Sequence, residues 1–345
     1  MTPAPLLVAA PDKFRGTATA REVADAIGRA AKSLGWTVVA SPLSDGGEGL
    51  LETFDLPGSR LETTTVAGPD GQEVEAQWRV HGSRAIVEMS RASGLALGGG
   101  AEGNDPLRAT TRGTGELIVA ASRAVGSNGT VVVGLGGSAT TDGGLGAIRA
   151  IEDAGGLGRV SLIGACDVQT TFVEAARLFG PQKGATPGQV LDLEERLRKL
   201  ADRYESDFGV DVRAVPGAGA AGGLGGALVA LGGQLRSGYE LVADLVGLRR
   251  YLARAQLVVT GEGALDQTSF AGKVVGGVLH DVSALGVPAL VIAGRVAEEA
   301  YGEVDQTMAR VVSLVDLFGE KRAVGETVAC VESAVRDSLG QFQLS

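Results

Sequence analysis

The chain has 345 residues, of which 44% are hydrophobic and 21% charged, with a formal net charge of −10. That length exceeds what one hydrophobic core usually supports, so two domains are expected. The negative field disfavours nucleic acid and acidic membrane surfaces as partners, and no apolar run reaches the length of a membrane span.

The segment Met1 to Ala10 carries no basic region ahead of its short apolar stretch and does not read as a signal peptide. Leu6 to Ala10 predicts a strand, followed by a loop from Pro11 to Gly16. A helix is expected from about Thr19 to Leu34, with Val23, Ile27, Ala30 and Leu34 on one face and Gly35 ending it. A second strand, Thr37 to Ala40, runs into Ser44-Asp45-Gly46-Gly47-Glu48-Gly49. This is a β-α-β unit and implies a parallel sheet.

The pattern changes near Leu61. Leu61 to Val66, Glu73 to Val80 and Arg84 to Met89 read as strands, joined by turns at Gly68-Pro69-Asp70-Gly71 and His81-Gly82-Ser83. Connections this short mean antiparallel pairing, as in a second domain inserted into the first. Thr130 to Val133 and Val160 to Ile163 read as buried strands. Gln189 to Glu205 is a charged amphipathic helix with Val190, Leu193, Leu197, Leu200 and Tyr204 inward, a surface element. Parallel-sheet patterning returns with strands at Gln256 to Thr260, Pro288 to Ala293 and Arg310 to Leu314, and with a helix after Lys273.

Cys166 and Cys330 are far apart and read as reduced core thiols, which suits the cytoplasm. His81 and His280 are isolated, so no His/Cys metal cluster has ligand spacing. The 54 glycines fall between apolar runs. Four polar, Gly-rich loops each follow an expected strand: Asp12 to Gly16, Asp45 to Gly49, Gly134 to Gly146 and Gly261 to Lys273. In an open parallel sheet, ligands bind beyond the carboxyl ends of the strands.

The Gly134 to Gly146 loop offers hydroxyls and free backbone N–H groups ahead of a helix, which suits phosphate oxygens; tight packing turns are the plain alternative. Two literal dinucleotide fingerprints occur, at Gly134-x-Gly136-x-x-Ala139 and Gly217-x-Gly219-x-x-Gly222. Neither has the strand ending in an acid that a nicotinamide cofactor requires. The Walker A pattern is absent, because Gly272-Lys273 is followed by Val274. The last loop, with Glu262, Asp266, Thr268, Ser269 and Lys273, combines carboxylates, hydroxyls and a cation, a mixture that phosphoryl transfer uses.

Taken in order, these motifs resemble the bacterial type 1 glycerate kinase family. Ala10-Pro11-Asp12-Lys13-Phe14-Arg15-Gly16 is similar to its A-P-D-S-F-K-G, and Asp45 to Gly49 matches D-G-G-E-G. Pro106 to Glu116, Gly136 to Gly144, Phe179 to Ala185, Pro216 to Gly223 and Gly261-Glu262-Gly263 match further family motifs, nearly end to end. Three departures stand out. Lys13 and Arg15 replace Ser and Lys, Gln169 to Leu178 is shorter and more helix-like than usual, and Thr268-Ser269 replaces Q-T.

The resemblance implies a two-domain α/β fold. A flavodoxin-like parallel-sheet domain (residues 1–60 and 241–345) would carry an inserted mixed α/β, restriction-endonuclease-like domain (61–240), with the active site in the cleft between them. It implies ATP, Mg²⁺ and D-glycerate, with phosphorylation at the 2-hydroxyl favoured over the 3-hydroxyl. The oligomeric state is not legible. The rival functions are an NAD-dependent hydroxy-acid dehydrogenase and a non-catalytic small-molecule sensor.

Residue chemistry then assigns roles. ATP phosphates are expected against Gly136, Gly137, Ser138, Thr140, Asp142, Gly143, Gly261 and Gly263, and Mg²⁺ near Asp45 or Glu48. Arg15 and either Lys183 or Lys273 would hold the glycerate carboxylate or the moving phosphoryl group, with Asp12 and Ser269 completing the substrate side. Asp266 is the expected general base, Asp45 the next candidate.

Overall fold

The computed structural model describes residues 4–304 and 307–342; the first three residues of the N-terminal segment read above lie outside the described residues. In chain order the strands are β1 (Leu6–Ala9), β2 (Thr37–Ala40), β3 (Arg60–Ala67), β4 (Glu73–His81), β5 (Arg84–Glu88), β6 (Thr130–Gly134), β7 (Ser161–Ala165), β8 (Gln234–Arg236), β9 (Leu257–Leu265), β10 (Ala289–Val296) and β11 (Ala309–Ser313). The chain separates into two compact units, Met1–Asp45 with Tyr239–Ser345, and Gly46–Gly238. Among the described residues no helix is long and apolar enough to cross a membrane.

The first unit holds a sheet ordered β11-β10-β9-β1-β2, with every neighbouring pair parallel. Counted within the unit, this is the 2-1-3-4-5 order of flavodoxin-like sheets, so the expected fold class holds for this half. The helix Ala20–Ser33 starts where the sequence places it, because Thr19 and Glu22 form a reciprocal capping box. Glu22 N–H donates to Thr19 Oγ1 at 3.2 Å and Thr19 N–H to Glu22 Oε2 at 2.8 Å. Its buried stripe of Val23, Ile27 and Ala30 packs with Leu7, Val259 and Ile292 of the sheet, while Leu34 caps the helix half-buried.

One strand differs from its expectation. β9 does not end at Thr260 but continues through Gly261-Glu262-Gly263 to Leu265, paired with β10 as far as Val296. The glycines that read as a loop let β10 come close: a Cβ on Gly261 would lie 2.0 Å from the Ile292 carbonyl oxygen.

The second unit holds a sheet ordered β3-β4-β5-β6-β7-β8. The β3/β4 and β4/β5 pairs are antiparallel, as their short turns require, and β5 to β8 are parallel. The pattern change near Leu61 marks the start of this mixed sheet. Leu117, Ile118, Val131, Val133, Phe172 and Tyr204 fill its core. The segment after Asp45 is tied to the same sheet through buried Glu88, which accepts from Leu51 N–H at 2.9 Å and from Arg91 Nε at 2.8 Å, while Arg91 also reaches Glu52. The long helix Pro187–Phe208 opens on a second capping box, Thr186 with Gln189, and buries Leu193, Leu197, Leu200 and Tyr204; Val190 is half-buried.

The cap on the first helix gives a direct stability test. Thr19→Ala removes the side-chain acceptor and should cost about 1 kcal/mol. Urea unfolding would show a lower midpoint for Thr19→Ala and near-parent behaviour for Thr19→Ser.

Candidate active site

In a 2-1-3-4-5 sheet the strand order reverses between the first and third strands, and the crevice beyond their carboxyl ends is where ligands bind. Here those strands are β1 and β9. Their ladder runs on past β1: Ala10 N–H donates to Val259 O at 2.8 Å and Asp12 N–H to Gly261 O at 2.9 Å. Asp12 is thereby set beside the Gly261-Glu262 segment. It is buried, and its Oδ1 accepts from Lys13 N–H at 2.7 Å. Lys13 Nζ lies 3.8 Å from Asp12 Oδ1 and 3.5 Å from Asp45 Oδ1. Burial pushes the Asp12 carboxyl up to about 6, against the pull of the Lys13 ammonium.

Of the residues expected from sequence, Asp12, Asp45, Asp266, Ser269 and Lys273 are gathered in this unit, close enough for charge coupling among Asp12, Asp45 and Lys273. Arg15 is exposed on the β1 loop, and its backbone N is what approaches Gly263. Gly261 and Gly263 lie in β9, not in a loop, and let β10 and the β1 loop approach this interior strand closely.

Asp266 sits at the start of the short 3₁₀ turn Gln267–Phe270 and caps it. Its Oδ1 accepts from Thr268 N–H at 2.7 Å and from Thr268 Oγ1 at 2.6 Å, while its own N–H donates to Ser269 Oγ at 3.1 Å. Lys273 Nζ in turn donates to Thr268 Oγ1 at 3.0 Å. These hydrogen bonds hold the Asp266 carboxyl below its ordinary range. A carboxylate with lowered proton affinity is a weaker base than the sequence suggests.

Glu262, one of the two carboxylates of the Gly261 to Lys273 segment, has no role assigned from the sequence. Its Oε1 is buried and has no hydrogen-bond partner. Burial pushes its carboxyl up to about 7; a hydrogen bond to Ser269 and the charge of Lys273 oppose the rise, and Asp12 and Asp266 add to it. A signal existed: a carboxylate between two glycines at the end of an apolar strand has no neighbouring side chain to shield it.

In the second unit, Ser138 and Thr140 are brought together with Lys183, but all three are buried. Lys183 Nζ donates to Thr140 O at 2.6 Å and to Ser138 Oγ at 3.3 Å. Burial lowers its proton affinity to about 7, against the attraction of Asp142. Lys183 thus braces the loop, with its ammonium buried. Asp142 is placed likewise. Its carboxylate accepts from Thr111 N–H at 2.9 Å, Thr111 Oγ1 at 2.8 Å, Gly146 N–H at 3.2 Å and Gly144 N–H at 3.0 Å, which occupies its lone pairs.

Gly143 has φ +67°, and a Cβ there would lie 2.3 Å from Leu200; its carbonyl accepts from Tyr204 Oη at 2.9 Å. Gly136 and Gly137 are packed against Gly47 and Ser90. The second Gly-rich motif locks into the first: Gly143 N–H donates to Gly222 O at 3.0 Å, and a Cβ on Gly222 would sit 1.9 Å from Thr140 O. The packing-turn reading thus accounts for these glycines. Glu48 is exposed, in the turn before the helix Leu50–Thr53. The shortened segment after Asp167 forms the helix Glu174–Phe179, and Asp167 accepts from Ser237 Oγ and Gly238 N–H at 2.9 and 2.8 Å.

A family profile described as the glycerate kinase family matches residues 7–155 and 153–339. The chain belongs to the glycerate kinase family. Among curated relatives, Glycerate 2-kinase of Escherichia coli K12 is 38% identical over 330 residues, spanning 85% of this chain and 86% of that protein. Glycerate kinase of Bacillus subtilis 168 is 36% identical over 331 residues, spanning 85% and 86%. A crystal structure from Salmonella typhimurium LT2, described provisionally as glycerate kinase 2, superposes with a TM-score of 0.81 at 32% identity and covers 99% of both chains. The resemblance read from the motifs and the two-part α/β fold class are both borne out by these matches.

Two measurements check the geometry of this glycerate kinase family member. Asp142→Ala strips the loop of an acceptor for four donors and should cost about 3 kcal/mol or more; Asp142→Asn should lose less, and chemical unfolding compares them. The second uses pH. Because the Glu262 pKa is raised on folding, the ionised side chain opposes folding, and stability is lost as pH rises from about 4.5 through about 7. Glu262→Gln should therefore melt above the parent at pH 8, with the gap closing towards pH 5.

Proposed function

We propose that the protein transfers the γ-phosphate of ATP to a hydroxyl of D-glycerate, at the 2-position, with Mg²⁺, in the cytoplasm. The observation that carries this reading is the family match across both units, joined to a mixed carboxylate–lysine cluster at the switch point of the parallel sheet. The relative named Glycerate 2-kinase supports the 2-position. The two free thiols, Cys166 and Cys330, suit a reducing compartment.

The residue chemistry fits the reaction. Phosphoryl transfer asks a protein for positioning and charge neutralisation. Lys273 and Lys13 supply cations in the first unit, and exposed Arg15 supplies another that can meet a carboxylate or phosphate. Asp12 and Ser269 offer polar contacts for glycerate beside them. The backbone N–H groups of Gly136 and Gly137, at the start of the braced loop, are the groups of the second unit suited to phosphate oxygens, because those of Ala139, Thr140 and Gly143 are already engaged. Ser138, Thr140, Asp142 and Lys183 hold the loop's shape.

Among the described residues no group of three or more His, Cys, Asp or Glu side chains is arranged to chelate a metal. Mg²⁺ usually takes one or two carboxylates together with phosphate oxygens and waters. Asp45, half-exposed at the end of the β2 loop, fits that need, and Glu48 is the second candidate. Bound there, the ion would neutralise charge on the nucleotide phosphates.

Purified full-length protein given ATP, Mg²⁺ and D-glycerate should release ADP only when both glycerate and Mg²⁺ are present. Phosphorus NMR should show 2-phosphoglycerate. Folded protein that ignores glycerate but oxidises a hydroxy acid with NAD⁺ would defeat the proposal, and a 3-phosphoglycerate signal would correct its position.

A further inference from the structure

We infer that Glu262 is the residue that takes the proton from the attacking hydroxyl of glycerate. This rests on the kinase reading above and names the base within it.

Three observations carry the inference. The first is placement. Glu262 lies on β9, where the ladder from β1 sets Asp12 beside it, in the crevice that a 2-1-3-4-5 sheet provides for ligands. The second is an unfilled lone pair. Glu262 Oε1 is buried and meets no donor, a costly arrangement that a substrate hydroxyl donating to it would relieve. The third is the state of its neighbours. Asp266, the other acid of the segment, has its Oδ1 engaged by both the N–H and the hydroxyl of Thr268. Asp12 Oδ1 is engaged by Lys13 N–H, with the Lys13 ammonium next to it.

The groups facing Glu262 come from each element around it. Asp12 comes from the β1 loop, Asp266 and Ser269 from the 3₁₀ turn, and Lys273 from the start of the following helix. On the β10 side its ladder partner is the apolar Ala293, and Arg295 further along pairs with Glu320. The net surroundings are acidic, with one ammonium in range. They leave Glu262 with a proton affinity near neutrality, where a general base is most effective.

The step balances. The glycerate oxygen forms a bond to the γ-phosphorus as the bond from that phosphorus to the ADP oxygen breaks. The hydroxyl proton moves to Glu262 Oε1, the carboxylate becomes a carboxylic acid, and ADP departs with the bridging electron pair. Glu262 then returns the proton to water.

The test measures kcat, KM and melting temperature between pH 5.5 and 9 for the wild type, Glu262→Gln and Glu262→Asp. Wild-type kcat should fall on the acid side of about pH 7 as one proton binds. Glu262→Gln should lose about 10²–10⁴-fold in kcat, change KM far less, lose the acid limb and melt no lower than the wild type at pH 8. Glu262→Asp, a shorter base of the same chemistry, should recover part of kcat together with a limb. A wild type without an acid limb overturns the inference. So does a Glu262→Gln variant that keeps the limb and stays within tenfold of wild-type kcat, or one whose loss is all in KM. Removal of the limb by Asp266→Asn would move the role to Asp266. No glycerate-dependent ADP release by the wild type overturns the kinase reading itself, whereas wild-type turnover with an active Glu262→Gln overturns this inference alone.

Discussion

Parallel pairing of β1 with β9 sets an aspartate against a glutamate at the carboxyl end of a sheet. Asp12 and Glu262 are far apart in the chain, yet the backbone bond from Asp12 N–H to Gly261 O makes them neighbours. Two buried carboxylates in one place repel each other and resist ionisation. Much of the first unit's site answers that constraint. Lys13 lies between Asp12 and Asp45, Lys273 lies within range of both acids, and Ser269 hydrogen-bonds Glu262. The arrangement costs stability at high pH and leaves one carboxylate able to exchange a proton near neutrality. That is an unfavourable way to build a core and a useful way to build a reaction site.

The second unit solves a different problem, which is how to hold a loop rich in glycine and small side chains. The loop after β6 has little of its own to pack, so its shape comes from what surrounds it. Asp142 ties it to the start of the helix Arg112–Val125, Lys183 bonds the Thr140 carbonyl, and Tyr204 bonds the Gly143 carbonyl. Gly222 packs against Thr140 closely enough to exclude any larger residue. Polar side chains that look like ligands in the sequence are braces here, and a buried cation or anion serves that purpose only when its hydrogen bonds are met.

Much of the fold was legible. The strand–loop–helix–strand start, the antiparallel β3-β4-β5 meander and the inward face of Pro187–Phe208 follow from periodicity and turn chemistry. The candidate site was legible in part. Asp12, Asp45, Ser269 and Lys273 were named because polar loops after parallel strands gather at one edge. Glu262 was named as one of the last loop's carboxylates but given no role, because Gly-Glu-Gly reads as a loop until the β10 ladder shows it to be strand. For Asp266 the tertiary structure adds what composition does not show: local hydrogen bonding to Thr268 lowers its proton affinity.

The sequence by itself determined the family, through ordered motifs that run nearly its whole length, and most of the secondary structure, through patterns set by neighbours in the chain. Those are local properties, written in residue order. Only the tertiary structure decided which ionisable groups face one another, how deeply each is buried and which lone pairs remain unfilled. Proton affinity depends on those distances and on local solvation. They are set by β-ladders and helix packing between residues far apart in the chain, so residue order alone does not reveal that Asp142 and Lys183 hold a loop while a buried oxygen of Glu262 meets no donor.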